Sequence, residues 1–314
     1  MASLKSLKIK IQSYKKTGTV TKAMQAVSAV KMRKAQERAL SGRAYAATSL
    51  SILQRLSGTS DVKRHSLLQT KFGLSTTLGM NKTCFVIITS DKGLAGSLNS
   101  AVIRKAEAEI LRLNLNRGDI VIIAVGRRGG EYFASRGYDV RLKFENVADG
   151  VSEEEMRMIT DEVLNWHEEG EISACVVAYT NFISTFEQEP VIRQIVPITA
   201  EMFALMVARI RPAKGKYSPV PQDEKAAGPS VYTIEPDADE VLRALLPKLL
   251  NIAVFHAHIE SKASEHSARM VAMKSATDKA KEMASTYTRT FNKVRQAAIT
   301  REVSEITSGI EAMK

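Results

Sequence analysis

The sequence predicts an α/β protein: a long antiparallel coiled coil of N- and C-terminal helices, with a central, mostly parallel open sheet between them. Three observations predict it. Neither glycine nor proline occurs between Lys248 and Gly309. The first 57 residues also carry helical spacing, under a concentrated positive charge. Between these ends, apolar β-branched runs alternate with amphipathic stretches, as in βαβ units.

Residues 1–57 form the first helix of the predicted coiled coil. Leu4, Leu7, Ile11 and Tyr14 begin a seam. Thr21, Met24, Val27 and Ser28 carry it on with a drift of one residue, and Met32, Ala35, Ala39, Ala46, Leu53 and Leu56 continue it. Gly18 and Gly42 each weaken a helix by up to about 1 kcal/mol, so either is a candidate for a local bend or a close contact. The segment holds twelve basic residues against the single acid Glu37, which equals the whole chain's net charge of +11. Such a segment favours an anionic partner: nucleic acid, anionic lipid or an acidic protein surface. Tyr14 and Tyr45 are its only aromatics, so base stacking is poorly supplied.

Residues 58–82 lose periodicity and read as a connector. Residues 83–210 then read as the sheet domain, with strands at 83–89, 119–125, 138–144, 172–179 and 191–198 and helical spacing at 153–169. Strands alternating with helices over this length argue a mostly parallel, open sheet. Residues 211–236, rich in proline, glycine, serine and lysine, read as a loop.

Residues 237–314 form the second long helix. Ile259, Ala263, His266, Met270, Met273, Thr277, Ala280, Ala284, Tyr287, Phe291, Val294 and Ala298 recur at steps of four and three. That spacing holds one seam on one side of a helix. At 1.5 Å per residue the rod is roughly 100 Å long, too long for a compact core to bury, so it needs a partner helix. The first segment is the natural one. The seam's small residues permit close approach. Pro247 falls early in the helix and is a candidate kink.

Composition narrows the function classes. No apolar run reaches the roughly 18 residues of a membrane span, and no secretory signal follows the early lysines. Cys84 and Cys175 sit in apolar runs and read as buried free thiols of a reducing compartment. The turn at 90–96 follows a strand and precedes a helix, where α/β folds bind phosphate. It lacks the G-x-G-x-x-G spacing, as does the turn at 126–130, and no phosphate-binding P-loop occurs. His256 and His258 point apart on a helix, His266 lies in the seam, and His65 and His167 are isolated in sequence. No catalytic, cofactor or metal site is predicted.

Three blocks carry a family resemblance. They are Val20-Thr21-Lys22-Ala23-Met24-Gln25-Ala26-Val27 with Lys31-Met32-Arg33-Lys34-Ala35; Thr89-Ser90-Asp91-Lys92-Gly93-Leu94-Ala95-Gly96-Ser97-Leu98-Asn99; and Ala263-Ser264-Glu265-His266-Ser267-Ala268-Arg269-Met270-Val271-Ala272-Met273 with Asn292-Lys293-Val294-Arg295-Gln296-Ala297-Ala298-Ile299-Thr300-Arg301-Glu302. In order and separation they resemble the γ-subunit family of rotary F-type ATP synthases. The terminal block is the most specific, and the likeness covers essentially the whole chain. Lys92, Ala95, Ser97 and Leu98 depart from the commonest choices in the central block. No cysteine pair occurs in an insertion, so the thiol switch of chloroplast relatives is not expected.

The resemblance implies a non-catalytic central shaft with a Rossmann-like middle domain. The shaft would run inside a hexamer of alternating α and β subunits, with the ε subunit and the c-subunit ring at its foot. It would couple proton or sodium flow through the ring to ATP synthesis or hydrolysis, peripheral to the membrane and without a cofactor. Met24, Arg269, Arg295, Gln296, Thr300 and Glu302 match β-subunit contact positions. Glu235, in Tyr232-Thr233-Ile234-Glu235-Pro236, matches a c-ring contact. The implied location is the cytoplasmic face of a bacterial plasma membrane, favoured by a family-like start at Met1, with the matrix side of the mitochondrial inner membrane as the alternative. The competing function is a basic nucleic-acid-binding protein with an α/β domain.

Overall fold

The computed structural model describes residues 3–41, 48, 52, 82–150, 152–198 and 237–313. Among the described residues the α-helices and strands follow in the order α1 (Leu4–Ser41), β1 (Lys82–Ile88), α2 (Leu98–Arg112), β2 (Ile120–Val125), α3 (Arg127–Ser135), β3 (Asp139–Phe144), α4 (Glu153–Glu168), β4 (Ile172–Phe182), β5 (Gln188–Val196) and α5 (Ala238–Ala312), with a 3-10 turn at Arg117–Asp119 before β2. The expected connector at 58–82, save its last residue, and the loop at 211–236 lie outside the described residues. So does the expected continuation of the first helix from 42 to 57, apart from residues 48 and 52.

The chain divides into two compact units. One joins Met1–Ala29 with Arg269–Lys314, and the other is Val30–Ala268.

In the larger unit five strands form one sheet in the order β3-β2-β1-β4-β5. β1 pairs in parallel with β2 and with β4, and β2 with β3. β5 closes the sheet antiparallel to β4. Successive side chains of a strand face opposite ways, so each strand feeds two cores. Cys84, Val86 and Ile88 of β1 join Met156, Ile159 and Val163 of α4 and Leu246, Leu249, Leu250 and Val254 of α5. Phe85 and Ile87 face the other way, onto Val102, Ala106 and Ile110 of α2 and Phe133 of α3. Both faces are covered, which is why β1, β2 and β4 read as unbroken apolar runs. Cys84 and Cys175 are cross-strand neighbours, both buried free thiols. The acids expected in a first helical turn open α4 at Glu153. α5 passes through Pro247 without a break in its helical assignment.

The smaller unit is an antiparallel helix pair. Thr21 meets Thr277 and Tyr14 meets Tyr287, so residue numbers rise along one helix as they fall along the other. The nine expected α5 seam positions in this unit, Met270 to Ala298, are buried or half-buried, and Ile259, Ala263 and His266 are buried in the larger unit. On α1 the expected seam needs correction. Val27 is 55% exposed, and the contact line runs instead through Gly18, Thr21, Gln25, Ser28 and Met32 without any drift. At Gly18 the expected close contact is found: a Cβ there would lie 3.7 Å from the Ala280 Cβ.

Candidate functional site

Two places in this fold are candidates for chemistry or binding: the turns at the strand ends of the sheet, and the surface of the helix pair.

The turns come first, because open α/β sheets bind ligands at the carboxyl ends of their strands. Gly126, with φ +95°, ends β2 and opens α3. A Cβ on it would stand 2.1 Å from the Thr89 carbonyl oxygen, so glycine is required by close approach of two backbones. That approach puts β1's end directly over the α3 N-terminus. The Gly129 N–H donates to the Thr89 hydroxyl at 2.9 Å, and the Arg127 N–H donates to the Asp91 carboxylate at 3.0 Å. Two donors that could hold a phosphate are thus taken by the protein's own hydroxyl and carboxylate. The preceding turn is locked by Asn99: its Oδ1 accepts from the Ser90 N–H at 2.9 Å, and its Nδ2 donates to the Ser90 hydroxyl at 2.8 Å. Thr89 and Asp91 belong to the central block of the sequence, but their hold on the second turn is not legible there. The available signal was a hydroxyl and a carboxylate two residues apart, after a strand and facing a second glycine turn.

The described histidines, His167, His256, His258 and His266, are structural. His266 is buried and its Nε2 lies 2.9 Å from Asp149 Oδ1. His167 Nδ1 lies 3.1 Å from the Ile172 carbonyl oxygen. Burial pushes His256 down to about 4 and His258 down to about 3, Lys262 adding to the latter. His256 lines a cavity of about 20 Å³ with Tyr179, Arg193 and Glu260, room for about one water. Among the described residues no group of His, Cys, Asp or Glu could hold a metal ion. No helix among them is long and apolar enough to cross a membrane.

The helix pair offers a larger surface. Tyr14 stacks on Tyr287 with centroids 5.5 Å apart, and the Lys10 ammonium sits 5.3 Å from the Tyr287 ring centre. An open groove beside this stack is flanked by Lys15 and Lys22 of α1 and Lys281 and Arg289 of α5. Lys5, Lys8, Lys10, Lys15, Lys16 and Lys22 are all exposed. The pair ends before α5 does. Both helices rise equally per residue, so Leu4, at the start of α1, stands level with about Ala297. From Ile299 on, every described residue of α5 is exposed. Ile299, Val303, Ile306, Ile310 and Met313 are 51–91% exposed and recur at steps of four and three. An apolar stripe with helical spacing and no covering partner marks a docking surface.

The positions singled out by resemblance distribute unevenly over this surface. Arg295, Gln296, Thr300 and Glu302 cluster within about two turns at the exposed end of α5. The Thr300 hydroxyl donates to the Gln296 carbonyl oxygen at 3.0 Å. Met24 is half-buried on α1, and Arg269 is buried, near the far end of the unit. At 1.5 Å per residue Arg269 lies about 39 Å along α5 from Arg295, so these positions form two patches rather than one site. Glu235 lies outside the described residues.

Comparison with known proteins gives a consistent picture. A family model described as ATP synthase matches residues 3–313. The ATP synthase gamma chain of Heliobacterium modesticaldum is 36% identical over 313 residues, covering 100% of each chain. That of Pelotomaculum thermopropionicum is 35% identical over 314 residues, again covering 100% of each. Among solved structures, a chain of the Euglena gracilis mitochondrial ATP synthase assembly of OSCP, F1 and c-ring matches with a TM-score of 0.63 at 18% identity, covering 99% of this chain and 94% of that one. A chain of the Tetrahymena thermophila central stalk and c-ring matches with a TM-score of 0.56 at 23% identity, covering 82% and 99%.

Proposed function

This chain belongs to the ATP synthase gamma family, and from that premise we propose how its helix pair does the family's work. The chain is the central rotor shaft, a non-catalytic subunit that couples ion flow through a membrane ring to ATP synthesis or hydrolysis elsewhere in the assembly. The observation that carries the mechanism is the narrow helix pair from which α5 runs on alone, bare of any covering partner. A rod of two unequal helices has no threefold symmetry. Turned inside a ring of three equivalent catalytic β subunits alternating with α subunits, it presents a different face to each. Differential contact energy then biases each β between open and closed states, which is all that a partner can do to such an equilibrium. Ion-driven rotation changes which β is favoured and forces product release; ATP hydrolysis runs the cycle backwards.

The surface chemistry supports this assignment residue by residue. The apolar stripe from Ile299 to Met313 suits an apolar bearing, and Arg295, Gln296, Thr300 and Glu302 supply polar contacts to a β loop just below it. Met24 and Arg269 meet β lower down. The groove cations Lys15, Lys22, Lys281 and Arg289 suit acidic β loops, against which charge contacts slide without a fixed partner. At the foot, Glu235 faces the c-ring loops, beside the ε subunit. The ring passes protons or sodium ions, and the assembly sits on the cytoplasmic face of a bacterial membrane. Residues 1–57 and 237–314 act as the coiled coil, 83–210 as the foot, and 58–82 and 211–236 as links.

Affinity purification of the tagged chain from its native membranes tests this reading. Two larger nucleotide-binding subunits and a ring of small membrane subunits are expected, in an intact complex by native mass spectrometry. Recovery of the chain alone, or with nucleic acid whose binding falls steeply with salt, overturns it.

A further inference from the structure

The loop between β3 and α4 receives side chains from both long helices. From α5, His266 Nε2 meets Asp149 Oδ1 at 2.9 Å. From α1, the Lys31 ammonium meets Asp149 Oδ2 at 2.6 Å. The Arg38 guanidinium, one further α1 group, donates to the Asp149 carbonyl oxygen at 3.1 Å and lies 3.4 Å from where a Cβ on Gly150 would stand. The Lys262 ammonium of α5 donates to the Val147 carbonyl oxygen at 3.3 Å, and it pairs with Glu265 at 3.6 Å. Asp149 therefore engages three cationic or imidazole groups through three separate oxygens. The hydrogen bonds from His266 and Lys31 hold its carboxyl well below the usual carboxylate range.

α5 does not depend on this loop for its hold on the sheet. It buries Leu246, Leu249, Leu250, Ala253 and Val254 in the sheet's core, and the Ser264 hydroxyl donates to the Thr180 carbonyl oxygen at 3.2 Å. α1 buries Met32, Ala35 and Ala39 over this stretch and adds polar ties to that packing. Lys31 and Arg38 are four and three residues either side of Ala35's level on the same helix, and both reach for the one residue Asp149. Asp149 is thus one point at which α1, the loop after β3 and α5 are joined by polar contacts.

We propose that Asp149 is a positioning residue for torque transfer, a pin that makes α1, α5 and the sheet turn together. The proposal rests on the rotor reading above. Without the pin, part of each rotary step is absorbed as slip of α1 against the sheet, and hydrolysis at the catalytic subunits no longer delivers a full turn to the ring.

The test uses the assembled complex in inverted membrane vesicles, with Asp149→Ala and Asp149→Asn variants of this chain. ATP hydrolysis and ATP-driven membrane potential, read by a voltage-sensitive dye, are measured on the same vesicles, so the identity of the transported ion does not matter. Asp149→Ala is expected to hydrolyse ATP at about the native rate while potential generated per ATP falls about threefold, the size of a modest coupling change. Asp149→Asn keeps an acceptor oxygen and the backbone carbonyl, and is expected to retain most of the ratio. An unchanged ratio in Asp149→Ala overturns the pin, as does an equal loss of hydrolysis and potential in both variants. Should Asp149→Ala fail to assemble, Lys31→Met, which leaves the loop intact, is read instead: a lowered ratio supports the pin and a native ratio removes it. Failure of the rotor reading is a separate result, seen when the native chain restores no ATP-driven potential to a complex lacking its shaft.

Discussion

Thr21 of α1 and Thr277 of α5 share a buried hydrogen bond of 2.6 Å across the helix pair. Each hydroxyl also has a carbonyl on its own helix, Thr17 at 3.0 Å and Met273 at 2.8 Å. Each carries one proton, so one of the two spends it on its partner. Replacing either threonine by valine keeps the shape and removes one side of the bond. Each single substitution is expected to cost about 1 kcal/mol, and the double no more than either single, because no polar group is then left facing an apolar one. Chemical denaturation followed by helical circular dichroism measures the cycle; full additivity would show that the two hydroxyls do not act as a pair.

Gly18 sits in the same seam, one turn away. Its missing Cβ has space, 3.7 Å from the Ala280 Cβ, which is ordinary contact. Gly18→Ala is therefore expected to stabilise the pair by up to about 1 kcal/mol through helix propensity alone. Gly18→Leu has no such room and is expected to separate the helices. A raised thermal midpoint for alanine and a lowered one for leucine are the readouts.

These two sites explain how far the sequence was legible. The α5 seam could be read directly, because twelve positions from Ile259 to Ala298 keep one heptad phase. On α1 the phase is kept by Gly18, Thr21, Gln25 and Ser28, which are small or polar, while the apolar Val27 beside them points to solvent. Hydrophobic periodicity follows the valine and drifts. The parallel strands announced themselves as apolar runs, but the reversal of β5 did not. It is enforced by the link between Phe182 and Gln188, too short for any parallel crossover. The Asp149 tie left no trace, because its partner His266 is 117 residues away. Arg295 and Gln296 were legible through family resemblance alone, since exposed polar residues on a helix carry no pattern of their own.

At the sheet's strand ends, glycine is a steric necessity in one place and a convenience in another. A Cβ on Gly126 would stand 2.1 Å from the Thr89 carbonyl oxygen, at φ +95°. Gly126→Ala is expected to cost about 3 kcal/mol or more and to lower the soluble yield. Gly170 also has a positive φ, +76°, but nothing lies within 4 Å of its missing Cβ. Its alanine variant pays the left-handed penalty alone, roughly 1 kcal/mol. Comparable thermal shifts for the two variants would remove the close-approach argument.

The exposed end of α5 gives a prediction for the assembled complex. Arg295 and Gln296 are solvent-facing, so replacing both with alanine leaves the helix intact. ATP turnover of the complex carrying Arg295→Ala with Gln296→Ala is expected to fall, while the isolated chain keeps its native thermal midpoint. Undiminished turnover withdraws the β-contact assignment for this pair and leaves the shaft standing.

Acid stability should depend on two buried histidines rather than on surface ion pairs. Burial pushes His258 down to about 3, with Lys262 lowering it further and Asp149 opposing, and burial pushes His256 down to about 4. Their folded pKa values lie below the ordinary 6.5, so the unfolded chain takes up protons first as pH falls. The stability they support is fully present above about pH 6.5 and is lost progressively below it, His256 ceasing to add to the loss near pH 4 and His258 near pH 3. From pH 7 to pH 5 each contributes a loss of about 2 kcal/mol. Neither ring nitrogen of His258 has a hydrogen-bond partner among the described residues. His258→Leu, close to it in volume, is therefore expected to be neutral or stabilising at pH 7 and to remove about half of the acid loss that the pair produces. Denaturation midpoints of the two proteins at pH 7 and pH 5 decide the matter: an identical drop in both would mean that His258 takes up its proton in the folded protein as readily as in the unfolded chain.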